Sequence, residues 1–302
     1  MPEGVLILAG ATASGKTELG IELAREYDAE IVGADSRQVY RGMPIGTAAP
    51  SPEQLSAVRH HLVGFLDPGE RYSAARYARD AVAAIDEIQR RGKRVIVVGG
   101  TGFYIRALTG GVELAPRFDE QLRERLAREA QLHPPEFLHK WLALRDASRA
   151  SHLHPGDGYR VLRALEVALG DREATPAPAP RRTLATEGIP WLLAFLDVPW
   201  SVVDRRIELR ANRMLEMGLL DEAELVGDRA VAASAVGYPQ ALAYLRGCST
   251  LAELRANLAR ATRRYARRQR AWFRGEPATQ WLEPAAVSDR VREKLLWSAK
   301  RD

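Results

Sequence analysis

Residues 6–20 read LILAGATASGKTELG, an apolar run that breaks into Gly10-x-x-x-x-Gly15-Lys16-Thr17 and resumes as a helical pattern. Each residue type in that loop suits an anion. Gly10 and Gly15 admit backbone angles that other residues resist, so successive N–H groups can turn inward. A helix starting near Lys16 points its positive end at the same place. Lys16 adds a full charge for terminal phosphate oxygens, and the Thr17 hydroxyl is a ligand for Mg²⁺. VLILA before the loop has strand character and ELGIELAREY after it has helical character, the setting such a cradle needs. Gly10, Ala11, Thr12, Ala13, Ser14, Gly15, Lys16 and Thr17 are therefore the candidate phosphate-binding segment.

Working outward, VLILAG (5–10), EIVGADS (30–36), RVIVVGG (94–100) and WLLAFLDV (191–198) have the all-apolar character of buried parallel strands. Helical patterns separate the first three, most clearly Ser73–Gly92, with Ser73 as N-cap and Gly92 as stop. This alternation predicts an α/β fold: a P-loop NTPase-like parallel sheet core flanked by helices. Ligands on such sheets bind at the carboxyl ends of the strands, which puts the loop, Asp35-Ser36 and Gly99-Gly100-Thr101 on one rim. A carboxylate at Asp35 either helps hold Mg²⁺ or accepts a proton from a nucleophile; the plain alternative is a turn aspartate. Thr101 has a hydroxyl that could reach a leaving group. Arg206 and Arg210, spaced i, i+4, offer a second cation to the rim or an ordinary surface role.

Between residues 113 and 185 the strand signal gives way to helical patterns, so the reading is a helical insertion between two parts of one core, 1–112 and 186–302. The proline-rich 175–190 stretch is the connection back. The composition, 46% hydrophobic and 27% charged over 302 residues, describes a soluble globular chain. No apolar run approaches the roughly 20 residues that span a bilayer. The N-terminus enters the first strand without a basic leader, and the single cysteine, Cys248, excludes an internal disulfide framework, so a cytoplasmic setting is expected. Adjacent His60 and His61 lack metal-ligand spacing and read as structural or capping residues. The net charge of +5 concentrates in RANLARATRRYARRQRAWFR (255–274), with eight arginines and no acidic residue. On a helix, Arg260, Arg263, Arg264, Arg267, Arg268, Arg270 and Arg274 share a face opposite Leu258, Tyr265, Ala266, Trp272 and Phe273. That pattern points to a polyanionic partner, or else to acidic neighbours in space.

The blocks GATASGKTELG (10–20), ADSRQVYRGMPIGTAAP (34–50), HHLVGFLDPGERYSAARYARDA (60–81), VVGGTGFYIRAL (97–108), HPGDGYRVLRALEV (154–167), RIELRANRMLEMGL (206–219), AVGYPQALAYLRG (235–247) and ATRRYARRQRAWFRG (261–275) occur in this order. Together they resemble one family, the tRNA dimethylallyltransferases, also called tRNA isopentenyltransferases. The DSRQVYRGMPIGTA block is the most specific of them. The resemblance implies that the loop holds the diphosphate of dimethylallyl diphosphate, and that the prenyl group passes to N6 of the adenosine just 3′ of a tRNA anticodon. It further implies that Asp35 is the general base, that Lys16, Arg210 and Mg²⁺ near Thr17 stabilise the leaving diphosphate, and that Thr101 neighbours the reacting centre. Asp35, Ser36, Arg37 and Gln38 would lie against a flipped-out target nucleotide. Arg123, Arg160 and Arg163 of the insertion would grip the anticodon loop, and Arg264 and Arg268 would add phosphate contacts. Nothing in the sequence demands more than a monomer. The chain departs from the family at Ala11, often proline, at Gly156, usually asparagine, and after Leu169. The rival reading is a small-molecule or nucleoside kinase that uses the same loop for ATP.

Overall fold

The computed structural model of the chain describes residues 3–112, 120–170, 182–228 and 230–299. They divide into two compact units, Met1–Val112 with Arg182–Asp302, and Glu113–Arg181. The first unit is built on six parallel strands: β1 (Val5–Ala9), β2 (Ala29–Ala34), β3 (His60–His61), β4 (Arg94–Gly99), β5 (Trp191–Leu196) and β6 (Gln280–Leu282), in the order β3-β2-β4-β1-β5-β6. The central β1 pairs with β4 and β5 at once, Ile7 lying opposite Val97 and Leu193. All five residues of β1 and all six of β2 are buried, which is why neither alternates polar with apolar.

Helices of this unit before the insertion are α1 (Lys16–Glu26), α2 (Pro44–Thr47), α3 (Pro52–Ala57), α4 (Ala74–Arg90) and α5 (Gly102–Thr109). The second unit holds α6 (Glu120–Leu132), α7 (Pro135–Arg145), α8 (Ala147–Ser151) and α9 (Gly158–Leu169). The first unit resumes with α10 (Trp200–Glu216), α11 (Leu219–Val226), α12 (Tyr238–Leu245), α13 (Leu251–Arg274) and α14 (Val287–Leu295). In α4 the Ser73 side chain accepts from Arg76 N, and Tyr77, Ala81, Ile85 and Ile88 form its buried stripe.

Two strands carry no pattern of their own. β6 is three half-buried residues that pair with the end of β5, and β3 is the His60–His61 pair itself at the sheet edge. His60 Nδ1 donates to Val58 O (2.7 Å), and His61 Nε2 is paired with the Glu30 carboxylate (2.7 Å). Burial lowers the pKa of His60. The histidines thus close the edge of the sheet.

The second unit has a core of its own, in which Leu126, Leu138, Leu142, Val161 and Leu165 meet. Asp157 caps α9 through Arg160 N (3.2 Å), and Gly156 N donates to His154 Nδ1 (3.0 Å) in the turn before it. The connection read over 175–190 falls partly on 171–181, outside the described residues. From Arg182 onward it is packed into the first unit: Arg182 pairs with Asp86 and Glu187, and Leu184 N donates to Leu108 O.

Candidate functional site

The loop between β1 and α1 bends at Ala13 (φ 64°) and Gly15 (φ 89°), two left-handed residues that turn the backbone N–H groups to one side. Gly15 is also the N-cap of α1, so the helix presents its unbonded N–H groups beside that turn. The Ser14 hydroxyl is buried in the loop without a hydrogen-bond partner among the described residues. A buried orphan polar atom inside a nest of N–H groups fits an anion-binding role.

Helix α10 closes the other side. Arg206 donates to Ser14 O (3.1 Å) and Arg210 to Thr12 Oγ1 (3.3 Å), so the i, i+4 spacing delivers both guanidiniums to the loop. Lys16 donates to Ala11 O (3.4 Å). Burial is the main cause that drops its pKa from 10.5 to about 8; Asp35 opposes the drop and Arg210 adds to it. Burial also lowers the pKa of Arg210, with Asp35 and Glu18 acting the other way. These cations, Lys16 and Arg210 half-buried and Arg206 exposed, stand in a cleft of about 1140 Å³ that runs along Ala13–Leu19 and the inner face of α10 to Ile45 on α2, with Asp197 and Glu283 on its wall. Leu209, Met214 and Met217 give the cleft an apolar flank.

Asp35 and Thr101 are outside that lining, at the ends of β2 and β4. Asp35 Oδ1 accepts from Arg37 N (2.8 Å) and Gln38 N (3.4 Å), the turn geometry that aspartate favours. Thr101 Oγ1 accepts from Ser36 N (2.9 Å), and Thr101 N donates to Ala34 O (3.1 Å), so the two strand ends are tied together. The Thr101 side chain also meets Tyr265, whose hydroxyl pKa is raised by burial first and by Asp35 next. Gln38 donates through Nε2 to Ala48 O (2.8 Å) and so holds the end of α2.

The structure adds residues that spacing did not single out. Gln269, 5% exposed on α13, accepts from Thr12 N (2.8 Å) and donates to Gly100 O (3.0 Å). It falls on the inward face between Ala266 and Phe273, where a glutamine in an arginine-rich run reads as one more polar residue. The glycines around Thr101 mark the same contact: a Cβ at Gly100 would lie 2.2 Å from Gln269 Nε2, and one at Gly102 2.2 Å from the Trp272 ring. Glu222 on α11 is likewise buried; it accepts from Ile45 N (2.8 Å), Gly46 N (2.7 Å) and the Tyr238 hydroxyl (2.7 Å), pinning α2 to the cleft wall. Glu222→Ala leaves two backbone donors without this partner and the Tyr238 hydroxyl with only a long contact to Met43 O (3.4 Å), and is expected to lower unfolding free energy by about 3 kcal/mol, measured by urea denaturation.

The basic helix is less uniform than its sequence. Arg263 pairs with Asp204 and Glu208 of α10, and Arg270 with Asp197 and Val198 O. Arg260, Arg264, Arg267, Arg268 and Arg274 are exposed, Arg268 lying over the Tyr265 ring and Arg267 over Trp200. Tyr265, expected to belong to the apolar face, instead reaches the Thr101 side chain. Within the second unit, Arg123 and Arg163 both pair with the buried Glu166, at 3.4 and 2.7 Å, while Arg160 is mostly exposed beside Asp157.

A family model described as IPP transferase matches residues 38–276. The chain is 41% identical over 292 residues to a tRNA dimethylallyltransferase of Geobacter sulfurreducens, covering 95% of this chain and 94% of that protein. It is 44% identical over 286 residues to tRNA dimethylallyltransferase 1 of Citrifermentans bemidjiense, covering 92% of each. Among solved structures it resembles the full-length tRNA isopentenylpyrophosphate transferase of Bacillus halodurans, with 33% identity, a TM-score of 0.70 and 97% of each chain covered.

Proposed function

The chain belongs to the IPP transferase family and is an enzyme that transfers a dimethylallyl group to tRNA, and from that premise we propose how its residues divide the work. The donor is dimethylallyl diphosphate, its diphosphate held by Gly10–Thr17. The acceptor is N6 of the adenosine 3′-adjacent to the anticodon. One observation carries this division: half-buried Lys16 and Arg210 face the phosphate loop, while Asp35 and Thr101 stand on neighbouring strand ends and Asp35 still acts electrostatically on both cations.

In the transfer, the N6 lone pair forms a bond to the terminal allylic carbon as the bond from that carbon to the diphosphate oxygen breaks. An adenine amine is a weak nucleophile because its lone pair is shared with the ring, so removal of its proton must accompany bond formation. Asp35 takes that proton, with the oxygen not engaged by the turn free to point at the amine. Negative charge gathers on the departing diphosphate, where Lys16, Arg206, Arg210 and the loop N–H groups are already in place. Thr17, on the first turn of α1 and lining the cleft, suits an oxygen-seeking ion, and with diphosphate oxygens it would hold Mg²⁺. Bound there, Mg²⁺ would neutralise part of the diphosphate charge.

Ser36, Arg37 and Thr101 line the acceptor side, and the exposed arginines of α13, with Arg160, supply phosphate contacts. One chain carries both donor and acceptor residues, which supports a monomer. Among the described residues no helix is long and apolar enough to cross a membrane; the tRNA substrate supports a cytoplasmic enzyme. Mixed with Mg²⁺, labelled dimethylallyl diphosphate and unmodified tRNA transcripts, without ATP, the protein is expected to label RNA only when an adenosine follows the anticodon. Labelling unaffected by replacing that adenosine would overturn the acceptor assignment.

A further inference from the structure

The donor and acceptor halves of this site rest on different elements: the phosphate loop follows β1, and the Thr101 rim follows β4. Transfer requires the allylic carbon and the amine to be held at one separation, and a displacement of about 1 Å is enough to cost ~100-fold in rate. The side chain that spans the two is Gln269. Its carbonyl oxygen takes the Thr12 N–H and its amide nitrogen donates to Gly100 O, one residue before Thr101. Thr12 is also the residue whose hydroxyl receives Arg210. A continuous chain therefore runs from Arg210 through Thr12 and Gln269 to Gly100.

The bridge has a second consequence for the loop. With the Thr12 N–H taken by Gln269 and the Ser14 N–H by Ala11 O (3.1 Å), neither is left for the diphosphate. Burial makes the bridge stiff, since a buried amide that loses either partner leaves a polar group unsatisfied. We propose that Gln269 is a positioning residue of the transfer reaction, its side-chain amide fixing the phosphate loop against the strand end that carries Thr101. This rests on the assignment of donor to the loop and acceptor to the Asp35–Thr101 rim.

The test exploits the shape of a carboxyl group. In Gln269→Glu a protonated carboxyl accepts from Thr12 N–H and donates to Gly100 O just as the amide does. Ionised, it sets an anion against the Gly100 carbonyl. Burial raises the pKa of such a carboxyl, so the change falls in an accessible range. Lys16 on α1, Arg210 on α10, Asp35, Arg37 and Tyr265 on the acceptor side, and Arg268 and the Arg270–Asp197 pair beside Gln269 on α13 are charged or titratable groups of this part of the site. They are common to variant and wild type, so the ratio of the two single-turnover rates removes their titration.

That ratio is expected to be about 0.01 at high pH and to climb at least ~10-fold as the pH is lowered toward 6. Gln269→Met, which cannot donate at any pH, is expected to show the same loss with a flat ratio. KM for dimethylallyl diphosphate and for tRNA should stay within about 3-fold of wild type in both, because each half of the site is intact. A flat ratio in Gln269→Glu, or a loss that appears in KM with kcat unchanged, would overturn the proposal. Failure of both variants to fold by circular dichroism would do so too, since the amide would then be a determinant of the fold. Wild-type protein in the same assay tests the underlying reading: no prenyl transfer would remove both, whereas transfer with unaffected variants would remove only the role of Gln269.

Discussion

Asp35→Asn is expected to lower kcat for prenyl transfer by about 10²–10⁴-fold, the range for loss of a general base. The choice of asparagine matters, because Asp35 also closes a turn through Arg37 N and Gln38 N. An asparagine oxygen can accept those same two N–H groups, so the turn survives and only the basic oxygen is lost. Asp35→Ala removes both. If the side chain acts as a base, single-turnover rates of the two variants should fall together, with KM for tRNA nearly unchanged in Asp35→Asn. A normal rate in Asp35→Asn beside a lost rate in Asp35→Ala would make Asp35 a turn residue and send the proton elsewhere.

Lys16→Met should reduce kcat/KM for the donor by about 10²–10³-fold, because under the proposed assignment it deletes a charge that faces the departing diphosphate in the cleft. The pH profile gives a second check. In the free enzyme the pKa of Lys16 is lowered to about 8 by burial, so the ammonium is present below that pH and lost above it. Donor kcat/KM in the wild type is therefore expected to fall as pH rises through about 8. Once the diphosphate anion is bound it favours the ammonium, so the limb in kcat lies at higher pH. Lys16→Met should lack the limb near 8. A wild-type profile without that limb would mean that Lys16 does not titrate in the free site.

Much of this arrangement is legible in the sequence. All-apolar runs of five or six residues reveal β1, β2, β4 and β5 because both faces of those strands are buried. The loop is legible because few residue types suit an anion nest, and the i, i+4 spacing of Arg206 and Arg210 already limits them to one face of α10. What the pattern could not yield is long-range pairing. The edge strand β3 is two histidines, and β6 is three residues defined by their alignment with β5. Gln269 and Glu222 look like ordinary polar positions until partners 257 and 176 residues away are brought to them. The double glycine before Thr101 is a hint of that kind, since Gly100 is small for the sake of Gln269.

The pairing of Arg263 and Arg270 with α10 and the end of β5 changes what α13 looks like from a distance. A helix positive all round would attract a polyanion equally at any roll angle about its axis. Neutralisation along one edge leaves Arg260, Arg264, Arg267, Arg268 and Arg274 within about a third of the helix circumference on the solvent side, with Arg255 exposed outside that arc. Under the proposed assignment, a strand of phosphates approaching that arc would feel a torque as well as a pull, turning it toward the side where Arg268 lies over Tyr265.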